Sequence, residues 1–285
     1  MGIKIIVDSA CDLPKKILKE YDIEILPFNI HIGDESYKDG IDIQVDQVYQ
    51  SIRDENFPKT SQISPEDIKK VFVKNAKAGY DSIYISFSSK MSGAYQLAKL
   101  VARDVEEKYK ECKIDVLDSK AGSVATGIIA YKAAILADEG KDRKEIIKKV
   151  KFFANHIQHV FMLDNLKALM RGGRISKTKS FIGNILKIKP ILHVNDGEIE
   201  LLQKVRGSKK AINKMIDFLK NKSYDLSEQI IGIAHADDLK QAELLKEKIE
   251  EIGGNIFCIE KIGSVLGVHL GIGGIGIFFL DKKES

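Results

Sequence analysis

The sequence contains no tryptophan and only three cysteines and five prolines. Cys11, Cys112 and Cys258 lie far apart and match no disulfide or metal-ligand spacing, so we expect free thiols in a reducing compartment. A strong charge excess is also missing, because 45 basic residues are balanced by 41 acidic ones to leave a net charge of +4. The basic residues form no tail or arginine-rich block, which argues against nucleic acid as a partner.

Long apolar runs are absent as well. The apolar run 272–280 is much shorter than the ~18–20 residues that cross a bilayer. Residues 1–8 lead directly into an apolar strand without the pattern of a signal peptide. We therefore expect a cytoplasmic protein without stable membrane insertion. The composition, 44% hydrophobic and 30% charged, is that of a globular protein, and 285 residues suffice for two ordinary domains.

Strand-like and helical segments alternate through the first half of the chain. The predicted strands are 3–7, 23–30, 82–87 and 114–117, and the predicted helices are 13–21, 45–54, 65–78, 93–108 and 121–139. Gly33-Asp34-Glu35 indicates a hairpin turn, and Ser64 followed by Pro65 indicates a helix start. This alternation predicts a mostly parallel sheet with helices on both faces.

The second half predicts a different α/β arrangement. Asn195-Asp196-Gly197 between two apolar runs is a strong hairpin signal. Further extended segments are predicted at 160–163, 229–234 and 256–259, with helices at 144–153, 166–170, 209–219 and 239–251 and a glycine-rich tail from 263 to 276. We predict a two-domain α/β protein, with an N-terminal domain of residues 1–157 and a C-terminal α/β domain of residues 158–285.

The first candidate site is the segment 86–95, which follows a buried strand and precedes a helix. Ligands of open α/β sheets bind at this end of the strands. The helix N-terminus favours an anion such as a carboxylate or phosphate, Ser92 would add a hydroxyl donor, and Gly93 would let a ligand approach the backbone. In the alternative interpretation, Ser92 merely caps its helix.

Polar residues at 60–64 form a second candidate. Ser64 is the natural helix cap, which leaves the hydroxyls of Thr60 and Ser61 without a local role, although loop hydroxyls are commonly just solvated. The segment 8–12 also has acids, a serine and a thiol. However, Asp12 is explained as a helix N-cap, and Cys11 has no neighbouring base.

Two more segments leave alternatives open. The glycines of 263–274 resemble a dinucleotide loop, but only one strand follows them, so that interpretation fails. His269 lies among glycines that provide few side chains to bury it, which favours a ligand-facing role. Arg171 and Arg174 flank a glycine pair at a helix end. They either are solvated charges or present a rigid surface to a partner.

Taken together, the motifs resemble those of the DegV family, in the same order and over nearly the whole chain. They are Asp8-Ser9-x-x-Asp12-Leu13, Thr60-Ser61-Gln62, Ser89-x-x-Ser92-Gly93-x-Tyr95-Gln96-x-Ala98, Asp118-Ser119, Leu166-x-x-Leu169-x-x-Gly172-Gly173-Arg174-Ile175, Lys189-Pro190-Ile191-Leu192 and Gly267-x-His269-x-Gly271. The resemblance implies a two-domain α/β lipid carrier that holds a fatty acid between its domains. Some members of the family act as the acyl-presenting subunit of a bacterial fatty acid kinase.

The resemblance also implies roles for individual residues. Thr60 and Ser92 match the hydroxyls that bind the carboxylate, with Ser61 and Gly93 beside them, and His269 matches a histidine near the same head group. Arg171 and Arg174 match the kinase-docking stretch. The chain departs from the family at Leu270 and Ile272, where threonine and proline are common.

The expected ligand is a long-chain fatty acid such as palmitate in a buried apolar tunnel, with no metal, no cofactor and no catalysis by the chain itself. A dozen buried methylenes contribute roughly 10 kcal/mol before association costs. An acyl hydrolase with Ser92 as nucleophile and His269 as base is the alternative, but Lys90 stands where the nucleophile elbow needs glycine. A phosphate-binding protein would instead require a polar pocket.

Overall fold

The computed structural model describes residues 2–175 and 188–284. The described residues of the first half of the chain form seven strands and six helices. In chain order they are β1 Gly2–Asp8, α1 Lys15–Glu20, β2 Glu24–Leu26, β3 Asn29–Ile32, β4 Glu35–Lys38, α2 Val45–Arg53, β5 Lys59–Ser61, α3 Pro65–Lys77, β6 Tyr80–Ser86, α4 Ala94–Lys108, β7 Ile114–Asp118, α5 Val124–Asp138 and α6 Arg143–His156.

Four of these strands form a parallel sheet in the order β2-β1-β6-β7. Helices α3 and α4 contact each other and the sheet. Helices α5 and α6 likewise contact each other and the sheet, and α1 lies next to α5. The parallel sheet with its two sets of helices confirms the predicted fold class. Its central strands, β1 and β6, are buried over most of their length because helices cover both faces of the sheet.

A small antiparallel sheet, β4-β3-β5, was not predicted. The single strand predicted at 23–30 is wrong. Pro27 has no N–H for the ladder, and the chain leaves the parallel sheet there and begins β3 at Asn29. The segment with Thr60 and Ser61, expected to be a loop, is strand β5 paired with β3. The hairpin at Gly33 is confirmed between β3 and β4.

The second half forms a six-stranded mixed sheet. Its elements are β8 Ile157–Met162, α7 Lys167–Gly172, β9 Ile188–Asn195, β10 Glu198–Arg206, α8 Ser208–Lys222, β11 Ile230–His235, α9 Leu239–Glu250, β12 Asn255–Lys261, α10 Ser264–Leu270 and β13 Ile275–Leu280. The order is β10-β9-β8-β13-β11-β12, and only β11 and β12 are parallel neighbours. The Asp196-Gly197 hairpin is confirmed, with φ of +44° and +87° at the two turn residues.

Helix α5 connects the two sheets. It contacts β1 and β6 of the parallel sheet and β8, β11 and β13 of the mixed sheet, and every residue from Val124 to Ala130 is buried. A helix that is apolar on all sides is stable only in such a position. Gly232 on β11 allows the close approach, because a β-carbon there would overlap the side chain of Val124. Helices α8 and α9 cover the other face of the mixed sheet.

The chain passes from α6 into β8 between His156 and Ile157. A boundary at 157/158 therefore falls at the start of the second sheet, and it remains our proposed domain division. Among the described residues, no helix is both long and apolar enough to cross a membrane.

Candidate functional site

The loop from Phe87 to Ser92 lies at the carboxyl end of β6 and is fixed by two aspartates. Asp8, at the end of β1, accepts hydrogen bonds from the Phe87 amide at 2.7 Å and from the Tyr84 hydroxyl at 2.8 Å. Burial raises the pKa of Asp8 to about 6. Asp118, at the end of β7, accepts from the Ser89 amide at 3.1 Å and from its hydroxyl. Two of the motif acids thus hold the loop in place.

Asp12 plays a third structural role, but not the predicted one. The residue before α1 is Pro14, so the prediction of Asp12 as a helix N-cap is wrong. Instead, the Asp12 carboxylate accepts from the Gly263 amide at 2.8 Å and from the Ser123 hydroxyl. Burial raises the pKa of Asp12 to about 7. These contacts connect the loop after β1 to the start of α10, and sequence alone could not reveal partners so distant in the chain.

Ser92 and Gly93 lie at the start of α4, as predicted. Gly93 is the N-cap residue, and the Ser92 hydroxyl accepts a hydrogen bond from the Ala94 amide at 3.2 Å. A hydroxyl that accepts retains its own hydrogen to donate to a ligand. Gly93 makes room for a side chain, because a β-carbon there would lie 2.6 Å from Gln62 Oε1.

Thr60 and His269 meet although 209 positions separate them. Thr60 Oγ1 lies 2.7 Å from His269 Nε2. His269 is buried on α10, so the expectation that too few side chains surround it is wrong. Helix α10 packs against α2, α7 and β5. Gly172, at the end of α7, allows this packing, because a β-carbon there would overlap His269 Nδ1.

The charge state of His269 follows from this environment. Burial, and secondly the positive charge of Arg174, lower the pKa of His269 to about 4. The ring is therefore neutral at neutral pH. Its Nδ1 atom is buried without a hydrogen-bond partner among residues 2–175 and 188–284. A neutral imidazole can donate to Thr60 or accept from it, depending on its tautomer.

The two arginines differ in their placement. Arg174 donates to the Met91 carbonyl at 3.2 Å and to the Gly172 carbonyl at 2.7 Å, and its side chain lines the same pocket as Thr60 and Ser92. Arg171 points elsewhere, and its guanidinium lies 4.0 Å from the centre of the Phe57 ring. Ser61 has a partner of its own, His31, at 2.8 Å.

A polar pocket and an apolar cavity adjoin at this site. The polar pocket, a space of about 450 Å³ that includes its open mouth, is lined by Phe28, Thr60, Ser61, Gln62, Phe87, Met91, Ser92, Arg174, Ile199, Val265, Leu266, His269 and Leu270. The apolar cavity, a space of about 470 Å³ that also includes its part open to solvent, is lined by Met91, Gly122, Ser123, His159, Phe161, Leu163, Val194, Ile199, Ile262, Leu266, Leu270, Ile275, Gly276 and Phe278.

Four residues line both spaces, so the two spaces adjoin across a shared wall. They are Met91, Ile199, Leu266 and Leu270. The hydroxyls of the mouth lie on one side of this wall, and on the other side the apolar space lies between the mixed sheet and the residues just before α5. Leu270 is buried and adds apolar surface to both spaces.

The hydrolase alternative finds no support in this geometry. The hydrogen bond of His269 goes to Thr60, and no acid orients its Nδ1 atom within the described residues. A histidine with a lowered pKa is also a weak general base. Among the same residues, no group of three or more His, Cys, Asp or Glu side chains could hold a metal ion.

Sequence reasoning missed several members of the site. Gln62, Gly172 and the apolar wall carried no functional assignment, although Gln62 and Gly172 fall inside the family motifs. Their roles arise from contacts between distant segments. Apart from the motifs, the glycine pair at 172–173 was the one local pattern that pointed to this region.

The fold and the site define an α/β protein with a parallel sheet, a mixed sheet and a small antiparallel sheet, and with an apolar cavity next to a mouth of hydroxyl and imidazole groups. The chain belongs to the DegV family, whose model, described as an uncharacterised protein of that family, matches residues 2–282. A DegV domain-containing protein of Caldanaerobacter subterraneus is 38% identical over 98% of this chain and 99% of its own.

Two solved structures show how similar the fold is. A fatty-acid-binding DegV family protein from Thermus thermophilus matches with a TM-score of 0.90 and 25% identity, over 98% of this chain and 99% of its own. A stearic acid-binding protein from Eubacterium ventriosum matches with a TM-score of 0.88 and 27% identity, over 97% and 98% of the two chains. DegV structural neighbours therefore bind fatty acids.

Proposed function

We propose that this protein binds a long-chain fatty acid, such as palmitate, with the carboxylate in the polar pocket and the chain in the apolar cavity. The observation that carries the proposal is that the two spaces adjoin and share the wall residues Met91, Ile199, Leu266 and Leu270. A ligand that fits both must have a polar head and a long apolar tail. The fatty acids bound by similar proteins support this assignment.

The groups at the mouth suit a carboxylate. Ser92 has a free hydroxyl hydrogen, and the Thr60–His269 pair can offer one more donor. Arg174 supplies a positive charge at the rim of the pocket. The apolar tail would provide most of the affinity, at ~0.8 kcal/mol for each buried methylene. The hydroxyls would fix the position of the head group.

We further propose that the protein is a carrier and not an enzyme. In this role it presents the carboxylate to a partner, for which a bacterial fatty acid kinase is our candidate. Arg174 is exposed at the mouth, and Arg171 is exposed three residues earlier on α7, so a partner that contacts both would lie near the head group. The three cysteines are free and buried, which agrees with the cytoplasmic location that we expect.

Native mass spectrometry of the purified protein tests the proposal directly. We expect a co-purified mass that matches a fatty acid of palmitate size, released by organic solvent and restored by adding the acid. A phosphorylated sugar or nucleotide in its place would overturn the assignment. In parallel, aryl esters of short and long acids should be cleaved no faster than by the Ser92→Ala variant, and turnover that depends on Ser92 would contradict the carrier role.

A further inference from the structure

The apolar cavity contains a polar side chain whose hydrogen-bonding groups are unused. His159 lies on β8, is only 3% exposed and lines the cavity. Neither Nδ1 nor Nε2 has a hydrogen-bond partner within residues 2–175 and 188–284. Buried polar atoms are paired in the great majority of cases, so two unpaired nitrogens in one ring need an explanation.

The position of His159 in its strand makes the choice of residue unusual. Side chains alternate along a strand, and the row that shares its face contains the buried apolar residues Ile157 and Phe161. His159 packs edge-on against Phe278, with ring centres 5.6 Å apart. A leucine or phenylalanine would pack there without leaving polar atoms unsatisfied. A histidine therefore has a cost that a ligand could offset.

The chemistry of the ring narrows the choice of ligand. Burial, and secondly the neighbouring His193, lower the pKa of His159 to about 3, so the ring is neutral at physiological pH. A neutral imidazole has one N–H donor and one acceptor nitrogen. A carboxylate can only accept and an ammonium group can only donate. A hydroxyl does both and is small enough to lie on an acyl chain.

We propose that His159 is a specificity site for fatty acids that carry a hydroxyl on the acyl chain. This inference rests on the proposed function and names a class of ligand for it. The four residues that line both spaces, Met91, Ile199, Leu266 and Leu270, lie between the mouth and the cavity of His159. The hydroxyl must therefore lie at mid-chain or beyond, not on the carbon next to the carboxylate.

Titration with a set of length-matched acids tests the inference. The set contains stearic acid and three hydroxystearic acids, with the hydroxyl beside the carboxylate, at mid-chain or near the methyl end. We expect one of the last two to bind roughly tenfold more tightly than stearic acid, and the first to show no such gain. The His159→Leu variant should still bind stearic acid but lose the preference, and His159→Gln should retain part of it.

Two control variants separate this role from general effects. Phe161→Leu changes the same cavity wall without a polar group, so it should alter the affinity for both acids by the same factor. His193 lies on the adjacent strand β9 but does not itself line this cavity. His193→Leu should therefore leave the preference for the hydroxy acid intact.

The possible outcomes are distinguishable. If the parent binds every hydroxystearic acid no more tightly than stearic acid, or if His159→Leu keeps the preference, the inference is wrong while the proposed function stands. If stearic acid itself does not bind, the proposed function fails and the inference fails with it. If His159→Leu does not fold, the acids are compared on the parent and on His159→Gln. An equal preference for the hydroxy acid in both proteins would then contradict the inference.

Discussion

At the mouth of the pocket, most of the groups that we assign to the carboxylate are neutral. Thr60 and Ser92 are half-buried hydroxyls, and His269 is a neutral ring held next to one of them. A charged group buried beside an apolar tail would be costly whenever the ligand is absent. Arg174 avoids that cost because it is exposed at the rim. The arrangement keeps the pocket stable both with and without a carboxylate.

Removing a mouth hydroxyl should therefore weaken acid binding selectively. A hydrogen bond to a charged group contributes ~1.5–3 kcal/mol, so we expect Ser92→Ala and Thr60→Val each to lower palmitate affinity roughly 10- to 150-fold. The two effects should not be additive, because both hydroxyls serve one carboxylate. Calorimetric titration of each variant with palmitate and with hexadecanol measures these affinities. The alcohol has no carboxylate, so its affinity should hardly change with either substitution.

Thr60→Ser and Ser61→Ala are the matched controls for that experiment. The first keeps the hydroxyl that contacts His269, and the second removes a hydroxyl that already bonds His31. Both should bind palmitate within about threefold of the parent, a difference of less than 1 kcal/mol. If Ser92→Ala and Thr60→Val bind acid and alcohol as the parent does, the head group lies elsewhere.

The pKa of His269 should report the arrival of the carboxylate. In the free protein it is lowered to about 4, first by burial and then by Arg174. A carboxylate beside the ring favours the protonated form, so palmitate should raise this pKa whereas hexadecanol should not. NMR titration of the His269 ring protons checks the shift. An unchanged pKa in the palmitate complex would place the negative charge away from this histidine.

The sign of the associated stability change also follows. The folded pKa of His269, about 4, lies below its ordinary value of 6.5. Between these values the unfolded chain binds more protons than the folded one. This histidine therefore destabilises the free protein as the pH falls from about 6.5 towards 4. Palmitate should reduce this loss of stability at low pH, because it is expected to raise the folded pKa of His269 towards its ordinary value.

Individual residues of the site could be predicted only in part. The resemblance and the helix-start pattern identified Thr60, Ser92, Gly93 and His269 as candidates. The structure brings Thr60, Ser92 and His269 to one pocket, and Gly93 lies next to its wall residue Gln62. The surroundings of His269 could not be predicted, because its partners come from positions up to 209 residues away. Local patterns contain no information about such contacts.

At the scale of elements, helix α10 shows why the glycine-rich tail was misjudged. Seven residues with glycine at Gly267 make a poor helix in isolation. Packing stabilises it, and Gly267 is necessary because a β-carbon there would lie 2.9 Å from the Tyr49 hydroxyl. That hydroxyl donates to the Ile262 carbonyl at 3.1 Å, just before α10. The family motif around His269 is therefore partly a packing motif.

The glycine pair at the end of α7 meets two requirements, close packing at Gly172 and a left-handed backbone at Gly173. Substitutions at the two positions should distinguish them. Gly172→Ala adds a methyl group where His269 Nδ1 lies, so it should disturb the Thr60–His269 contact and weaken palmitate binding at least tenfold. Overpacking of this kind also costs ~1–3 kcal/mol of stability. Titration and chemical denaturation measure the two effects.

Gly173 provides the matched control. It ends α7 in the left-handed region, with φ of +66°, and a β-carbon there meets nothing within 4 Å. Asparagine tolerates this conformation, so Gly173→Asn should leave both stability and palmitate affinity close to those of the parent. Equal losses from the two substitutions would mean that α7 tolerates no change here and that contact with His269 is not the cause.

At the scale of the whole molecule, the cavity lies where the mixed sheet meets helix α10 and the loops before α4 and α5. Alternating strands and helices were sufficient to predict the parallel sheet, because each unit is local in sequence. The order of the mixed sheet was not predictable, since β8 pairs with β13, the last strand of the chain. The cavity lies at this junction, so its walls could not be derived from the sequence.

The exposed surface around Arg171 is our candidate for the site at which a partner enzyme docks. Arg171 is held over Phe57, a residue with φ of +45° whose side chain is 46% exposed. A fixed planar guanidinium suits docking to a carboxylate or phosphate on another protein. We expect Arg171→Glu to abolish phosphorylation of bound palmitate by a bacterial fatty acid kinase and to leave palmitate affinity unchanged.

Arg174 should behave differently, because it lines the pocket as well as the surface. Arg174→Glu places a negative charge beside the carboxylate, so it should weaken palmitate binding and phosphorylation together. Arg103→Glu, on the exposed side of α4, is the control for a change of net charge and should affect neither. Titration with palmitate and a phosphorylation assay on the same samples measure both. If Arg171→Glu loses lipid binding as severely as Arg174→Glu does, Arg171 supports the pocket and the docking surface lies elsewhere.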